Sequence, residues 1–308
     1  MITRRNFLAA GGYGALAGCT AGLVYEQIPP GAGIEKVLLI GVDGLRPDAL
    51  QQTPNIDRLM AEGAYSLAAR TGKYTVSCPG WFNILTGVWE TKHGVKDNSL
   101  EPANHAAYPT LFTRLEQYHP GLNTYCIASL DWITKFIVGK ADRKIYHPFE
   151  QEGDRRVAET AAQVLAQRPV DLMFAYFMGV DMAGHEYGFS RAVPEYMAKV
   201  RNVDGYVGML MKAIRKRPTY NKECWLTVFV SDHGGKGKHH EGVGEEAMKV
   251  PLILHGSTVQ PGEITPVPRQ VDVAPTILTH LNVPIRHGWG LDGKVVGFKE
   301  SYMNGAYR

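Results

Sequence analysis

The sequence predicts an α/β domain built on a mostly parallel central sheet with helices on both faces. Two observations predict it. Short apolar runs without polar alternation recur along the chain, and stretches of helical character separate them. A strand buried on both faces of a parallel sheet reads as a continuous apolar run rather than an alternating one, and strands that alternate with helices are the mark of this class.

The strands are expected at Lys36–Val42 (KVLLIGV), Thr124–Ala128, Asp171–Phe177 (DLMFAYF) and Trp225–Ser231 (WLTVFVS). The clearest helix spans Val193–Arg217, where Met197, Val200, Val203, Val207, Leu210 and Ile214 recur at spacings of three or four. Lys212, Arg215, Lys216 and Arg217 close it, as its dipole favours. Shorter helices are expected at Asn55–Glu62, after Pro79, at Thr110–Tyr118 and at Ala274–Leu281. Residues 95 to 150 are rich in aromatics and turn formers and are read as a small substrate-binding insert within a single catalytic domain, 35–308.

The first nineteen residues read as a targeting segment: a charged start, a short apolar run broken by glycines, and a small-residue cleavage region. Arg4-Arg5 followed by Asn6, Phe7 and Leu8 resembles the twin-arginine export signal, and Leu16-Ala17-Gly18-Cys19 matches the bacterial lipobox. Together they imply export to the periplasm or cell envelope and a lipid anchor on Cys19, with residues 20–34 as a tether. Without Arg4 and Arg5 the 33 basic residues fall to 31 against 30 acidic ones, a formal charge of +1, so no nucleic-acid-binding surface is advertised. Cys78, Cys126 and Cys224 allow one disulfide at most, and their spacing is not that of a thiolate metal site.

Three acidic signals lie where these strands end. Asp43 follows the first, Asp181 lies just beyond the third, and Asp232 with His233 follows the fourth. In open α/β sheets ligands bind outside the carboxyl ends of the strands, so these positions are expected to converge. Taken alone, each Asp reads more simply as a turn or cap residue. Asp181 and His185, four apart, can reach one cation from a single helical turn, and zinc accepts that oxygen and nitrogen set. The pair His239-His240 follows seven and eight residues after Asp232, in a glycine-rich loop too polar to be core. Ser77, in TVSCPGWFNILTG, is placed at the start of a helix, where backbone N–H groups attract a tetrahedral anion. A free serine hydroxyl is a poor nucleophile and there is no Gly-x-Ser-x-Gly elbow; a bound divalent metal would activate it. The simpler reading is that Ser77 is an N-cap.

With these residues in place the chain resembles the alkaline phosphatase superfamily, and within it the type I phosphodiesterase and nucleotide pyrophosphatase family. The matching segments are GVDGLRPDAL, TPNIDRLMAEGA, TVSCPGWFNILTGVWETKHGV, DMAGHEYG, VSDHGGKGKHHEG, KVPLILHG and VDVAPTILTHLNVP, in the family's order from about residue 36 to 285. The resemblance implies an alkaline phosphatase-like fold and two divalent metal ions, zinc being the expected element. It places Asp43, Ser77, Asp232 and His233 on one ion and Asp181, His185 and His240 on the other, with Ser77 transiently phosphorylated. His240 is preferred to His239 by its distance from Val250-Pro251-Leu252.

Two departures matter. The family usually has a threonine followed by Phe-Pro-Asn, whereas here the stretch is Ser77-Cys78-Pro79-Gly80. The phosphate-contacting asparagine is therefore missing, with Asn98 or Asn83 as substitutes. Ser77-Cys78-Pro79 also resembles the sulfatase signature, but its arginine is Trp81. The implied activity is hydrolysis of a phosphodiester or pyrophosphate bond in a small-molecule phosphate ester, with phosphomonoester and sulfate ester hydrolysis as alternatives. Trp81, Tyr108, Trp132 and Phe149 are candidates to stack on the substrate. From another class, a non-catalytic ligand-binding lipoprotein is the weaker alternative, since every predicted position holds a competent side chain.

Overall fold

The structure, a computed structural model, describes residues 33–100 and 103–306. Its centre is an eight-stranded sheet formed by β1 (Ile34–Val42), β2 (Ala64–Arg70), β3 (Thr124–Ala128), β4 (Arg143–Tyr146), β5 (Leu172–Phe177), β6 (Glu223–Ser231), β7 (Lys249–His255) and β8 (Gly262–Glu263). Their spatial order is β4-β3-β5-β1-β6-β7-β2-β8. The pairs from β4 to β6 are parallel, and β7 runs against both neighbours.

The helices are α1 (Pro54–Glu62), α2 (Ser77–Thr86), α3 (Glu90–His93), α4 (Leu111–Tyr118), α5 (Gly153–Gln167), α6 (Gly179–Tyr187), α7 (Pro194–Arg215), α8 (Glu245–Met248), α9 (Val273–His280) and α10 (Glu300–Ala306). The buried strand β1 shows why both faces of the sheet must be covered. Val37 and Leu39 join one core with α2, α4 and α9, while Leu38, Ile40 and Val42 join the other with α1, α5, α6 and α7. Alternate side chains of an extended backbone point to opposite faces, so a run apolar at every position needs a helical layer on each side.

Two features position the site. β1 lies between β5 and β6 with Val42 level with both Phe177 and Ser231, so the three carboxyl ends finish together. The second is α2, buried along its whole length. A Cβ on Gly80 would come within 2.8 Å of Asp232 Cβ and 3.0 Å of its carbonyl oxygen, so glycine there lets α2 pack directly on the end of β6.

The segment read as an insert, 95–150, is mostly part of the domain's framework. It contains α4 and two strands of the central sheet, β3 and β4, and its described residues before Leu111 carry no helix or strand. β1 begins at Ile34, inside the stretch assigned to the tether. The targeting signal, the lipobox and nearly all of the tether lie outside the described residues. Among those described, no helix is long and apolar enough to cross a membrane. Cys78, Cys126 and Cys224 are free and buried.

Candidate metal centre

Asp43 follows β1 directly, and the chain turns away at Gly44, whose φ of +66° suits glycine. A Cβ at Gly44 would also meet Asp181 Oδ1 at 2.7 Å, so its absence lets α6 approach the turn. The Gly44 N–H donates to Asp232 Oδ1 at 3.2 Å, and the Leu45 N–H to Ser231 Oγ at 3.0 Å, which ties the ends of β1 and β6 together.

Asp181 stands in the first turn of α6 and His185 in the last. The start of this helix is held from α5: the Asp154 carboxylate accepts N–H groups of Met178 (3.0 Å) and Gly179 (2.8 Å) and the Ser129 hydroxyl (2.6 Å). Asp232 and His233 lie at the end of β6, fully buried. Gln270 Nε2 donates to the Asp232 carbonyl and fixes that backbone. His240 is buried, whereas His239 is exposed and makes a backbone bridge to Lys236. His240 is the member of the pair that lies with Asp181 and His185.

The three histidines share one orientation. Nδ1 of His185 lies 3.0 Å from the Lys238 carbonyl, Nδ1 of His233 2.9 Å from that of Gly234, and Nδ1 of His240 2.5 Å from that of Thr75. A carbonyl only accepts, so each Nδ1 carries a proton, and in a neutral ring Nε2 is then the nitrogen whose lone pair is directed into the site. His185 Nε2 and His240 Nε2 lie 3.1 Å apart, and a cation bound by both lone pairs would suit that approach.

The ligand atoms fall into two groups, Asp181 with His185 and His240, and Asp43 with Asp232 and His233. Within each group they lie within 4.8 Å of one another. The groups abut through the stacked rings of His233 and His240, whose centroids are 4.0 Å apart. Asp181 Oδ1, Asp232 Oδ2 and His233 Nε2 are buried without a hydrogen-bond partner. Buried polar atoms are rarely left so, and a nitrogen and oxygen donor set with open lone pairs is what a divalent cation requires. The residues fit two metal ions.

Ser77 is the first residue of α2, and its hydroxyl donates to Asp43 Oδ1 at 3.3 Å. Beside it, the Cys78 N–H donates to Asn98 Oδ1 at 3.0 Å. The Cys78 side chain is no competing nucleophile: burial first, and the charge of Asp43 second, push its thiol up to about 12.

The model of the type I phosphodiesterase / nucleotide pyrophosphatase family matches residues 37–250, about two thirds of the chain. The chain belongs to this family. Ectonucleotide pyrophosphatase/phosphodiesterase family member 3 of Mus musculus is 28% identical over 233 residues, 68% of this chain and 26% of the relative. Family member 7 of Mus musculus is 25% identical over 254 residues, 72% of this chain and 56% of the relative. The chain thus spans between about a quarter and somewhat over half the length of these relatives. Among solved structures, a 2-O GAG sulfatase superposes with a TM-score of 0.69 at 16% identity, covering 84% of this chain and 73% of that one. Murine ectonucleotide pyrophosphatase/phosphodiesterase 5, an inactive form in complex with AMP, gives 0.65 at 15% identity over 82% and 96%. These likenesses establish the alkaline phosphatase-like fold of this phosphodiesterase-family chain.

Two expectations about the substrate side need correction. Trp81 has no exposed surface, and its indole N–H donates to Asp43 Oδ2 at 3.1 Å, so its ring lies beneath the site and cannot stack on a substrate. Asn83 is buried deeper in α2, its oxygen 2.9 Å from His93 Nε2. Asn98, of the two asparagines, stands at the helix start and is exposed. Sequence reasoning missed Asp154, Gln270, Thr75 and Tyr176, which act through backbone or through Asp43; nothing in their local sequence signals a tertiary partner.

Charge at this rim is unbalanced. Burial, reinforced by Asp43, pushes the Asp181 carboxyl well above the usual carboxylate range, and burial with Asp43 and Asp181 does the same to Asp232. Burial, then His233, pulls His240 down to about 3. A carboxyl whose folded pKa is raised costs stability above its unfolded pKa of about 4 and costs nothing below it. Chelator-treated Asp181→Asn should therefore melt at a higher temperature than chelator-treated wild type at pH 8, with the advantage vanishing toward pH 4. Melts recorded across that range check it, and an equal or lower melting temperature at pH 8 would refute the charge assignment.

Proposed function

We propose that this chain hydrolyses phosphodiester or pyrophosphate bonds with Ser77 as the nucleophile and two divalent metal ions, zinc by preference, held by the two ligand groups. The observation that carries the reading is the position of Ser77. Its Oγ stands at the head of a buried helix and against Asp43, beside carboxylate and imidazole atoms whose lone pairs find no protein partner. Asp43, Ser77, Asp232 and His233 would hold one ion, and Asp181, His185 and His240 the other. When bound, the ions supply charge that activates an oxygen nucleophile and offsets the negative charge of the phosphoryl group.

The chain's own residues divide the remaining work. Ser77 Oγ forms the new bond to phosphorus as the bond from phosphorus to the leaving alcohol or phosphate oxygen breaks, and the serine proton ends, through solvent, on that leaving oxygen. Water then cleaves the phosphoserine, releasing phosphate product and restoring the hydroxyl. At the start of α2 the Cys78 N–H is taken by Asn98, Pro79 has none and the Gly80 N–H goes to the Val76 carbonyl, so the Ser77 N–H is the first-turn backbone donor left for a phosphoryl oxygen among the described residues. Asn98 is the side-chain donor to the phosphoryl oxygens in place of the family's asparagine, because its carbonyl end is occupied by the Cys78 N–H and its amide end has no hydrogen-bond partner among the described residues. Gly80 cannot serve, since any side chain there would strike Asp232.

Zinc is favoured over calcium because three imidazoles contribute to the two groups, and calcium prefers an all-oxygen shell. The same argument weakens the sulfatase reading, as does a buried Trp81 where that signature has arginine. On the substrate side Trp132, at the carboxyl end of β3 and 36% exposed, is available for stacking where Trp81 is not.

We further propose that the chain is exported by the twin-arginine route and anchored to the cell envelope through a lipid on Cys19. The support is sequence alone, Arg4-Arg5 and Leu16–Cys19. Expressed in a bacterium fed radiolabelled palmitate, the protein should take up label and Cys19→Ser should not; labelling of Cys19→Ser, or none of the wild type, rejects the anchor.

Ser77→Ala should lower kcat by at least about 10³-fold while the protein still binds two zinc ions, because three ligands of the affected ion remain. Among nitrophenyl esters, the diester should be cleaved with a higher kcat/KM than the monoester or sulfate. Wild-type-like turnover by Ser77→Ala removes the nucleophile, and a preference for sulfate removes the phosphodiesterase reading.

A further inference from the structure

The two oxygens of Asp43 have different neighbours. Oδ1 lies 3.3 Å from Ser77 Oγ and 3.4 Å from His233 Nε2, on the side of the site. Oδ2 accepts the indole N–H of Trp81 at 3.1 Å and the hydroxyl of Tyr176. Both donors are fully buried, with ring centroids 5.2 Å apart at 74°, and Phe174 packs against each of them, 5.5 Å from Trp81 and 6.1 Å from Tyr176. Gly41, two residues before Asp43, makes room for the indole: a Cβ there would lie 2.5 Å from it. Strands β1 and β5 and helix α2 all contribute to one small arrangement around a single carboxylate.

We propose that Trp81 and Tyr176 are positioning residues that lock Asp43 so that Oδ1 alone is presented to the metal and to Ser77. This rests on the two-metal reading above. A half-turn merely exchanges two equivalent oxygens, whereas tilting the carboxylate to offer both of them to the site would break two buried hydrogen bonds at once and leave their donors unpaired. The lock also sets the nucleophile. Ser77 and Trp81 are four residues apart on α2, so one helix contacts both oxygens of the same carboxylate, Ser77 on Oδ1 and Trp81 on Oδ2. Any shift of α2 against β1 would disturb both contacts together. Groups that orient a ligand from behind usually matter nearly as much as the ligand, changing metal affinity by about 10- to 100-fold.

Trp81→Phe and Tyr176→Phe each delete one donor and keep an aromatic ring in place. Zinc is titrated into chelator-treated wild type and each variant against a competing chelator, and melting of the same samples is followed with and without zinc. The expected result is wild-type binding of two ions, with each variant losing about 10-fold or more in affinity at one site only. The zinc-induced rise in melting temperature should shrink, while metal-free melting stays close to wild type. If wild type binds two ions and both variants bind both with unchanged affinity, the lock is overturned and the metal reading stands. If the variants lose as much metal-free stability as zinc-bound stability, or fail to fold, the residues are merely structural and the lock is likewise overturned. If wild type binds no zinc, the two-metal reading itself fails.

Discussion

Three carboxylates meeting at one rim of the sheet is the constraint around which this molecule is organised. Asp43, Asp181 and Asp232 are all nearly inaccessible to water, and their described partners include neither lysine nor arginine. Burying ionised carboxylates without compensation is costly, and a protein that keeps them ionised needs positive charge from elsewhere. Burial pulls His233 and His240 down, so these two rings add electron density rather than charge to the same space. The protein alone does not balance this site, and two divalent cations would.

The fold is what makes such a concentration of charge possible. β1 runs between β5 and β6 with level ends, so one acidic residue from each connection arrives at the same height. Close approach depends on glycines. Gly44 admits α6, and Gly80 admits α2. Away from the carboxylates the polar contacts go to backbone: Asp154 holds the start of α6, Gln270 the carbonyl of Asp232, and Thr75 the ring of His240. These contacts settle the site before any ligand arrives, which is the condition for electrostatic preorganisation.

The sequence made the central strands and the ligand set legible for the same reason. Runs apolar at every position mark β1, β5 and β6, and an acidic residue just past such a run is conspicuous. Asp181 with His185 was readable from helical spacing, and Ser77 from the proline two residues on. β2 was not readable, because AYSLAAR is only partly buried and carries a register shift between Ser66 and Ala69. β4 escaped because RKIY is nearly all exposed at the sheet's edge, so the aromatic and turn-rich stretch around it looked like an insert. Trp81 was misjudged for a deeper reason. Whether a tryptophan faces substrate or core is decided by what the sheet puts behind it, here Gly41 and Phe174, and those lie 40 and 93 residues away.

Anomalous scattering at the zinc absorption edge, from crystals of the zinc-loaded protein, tests the central claim most directly. Two peaks are predicted, one among Asp43, Asp232 and His233 within bonding reach of Ser77 Oγ, and one among Asp181, His185 and His240. A single peak, or zinc bound only away from these residues, would contradict it.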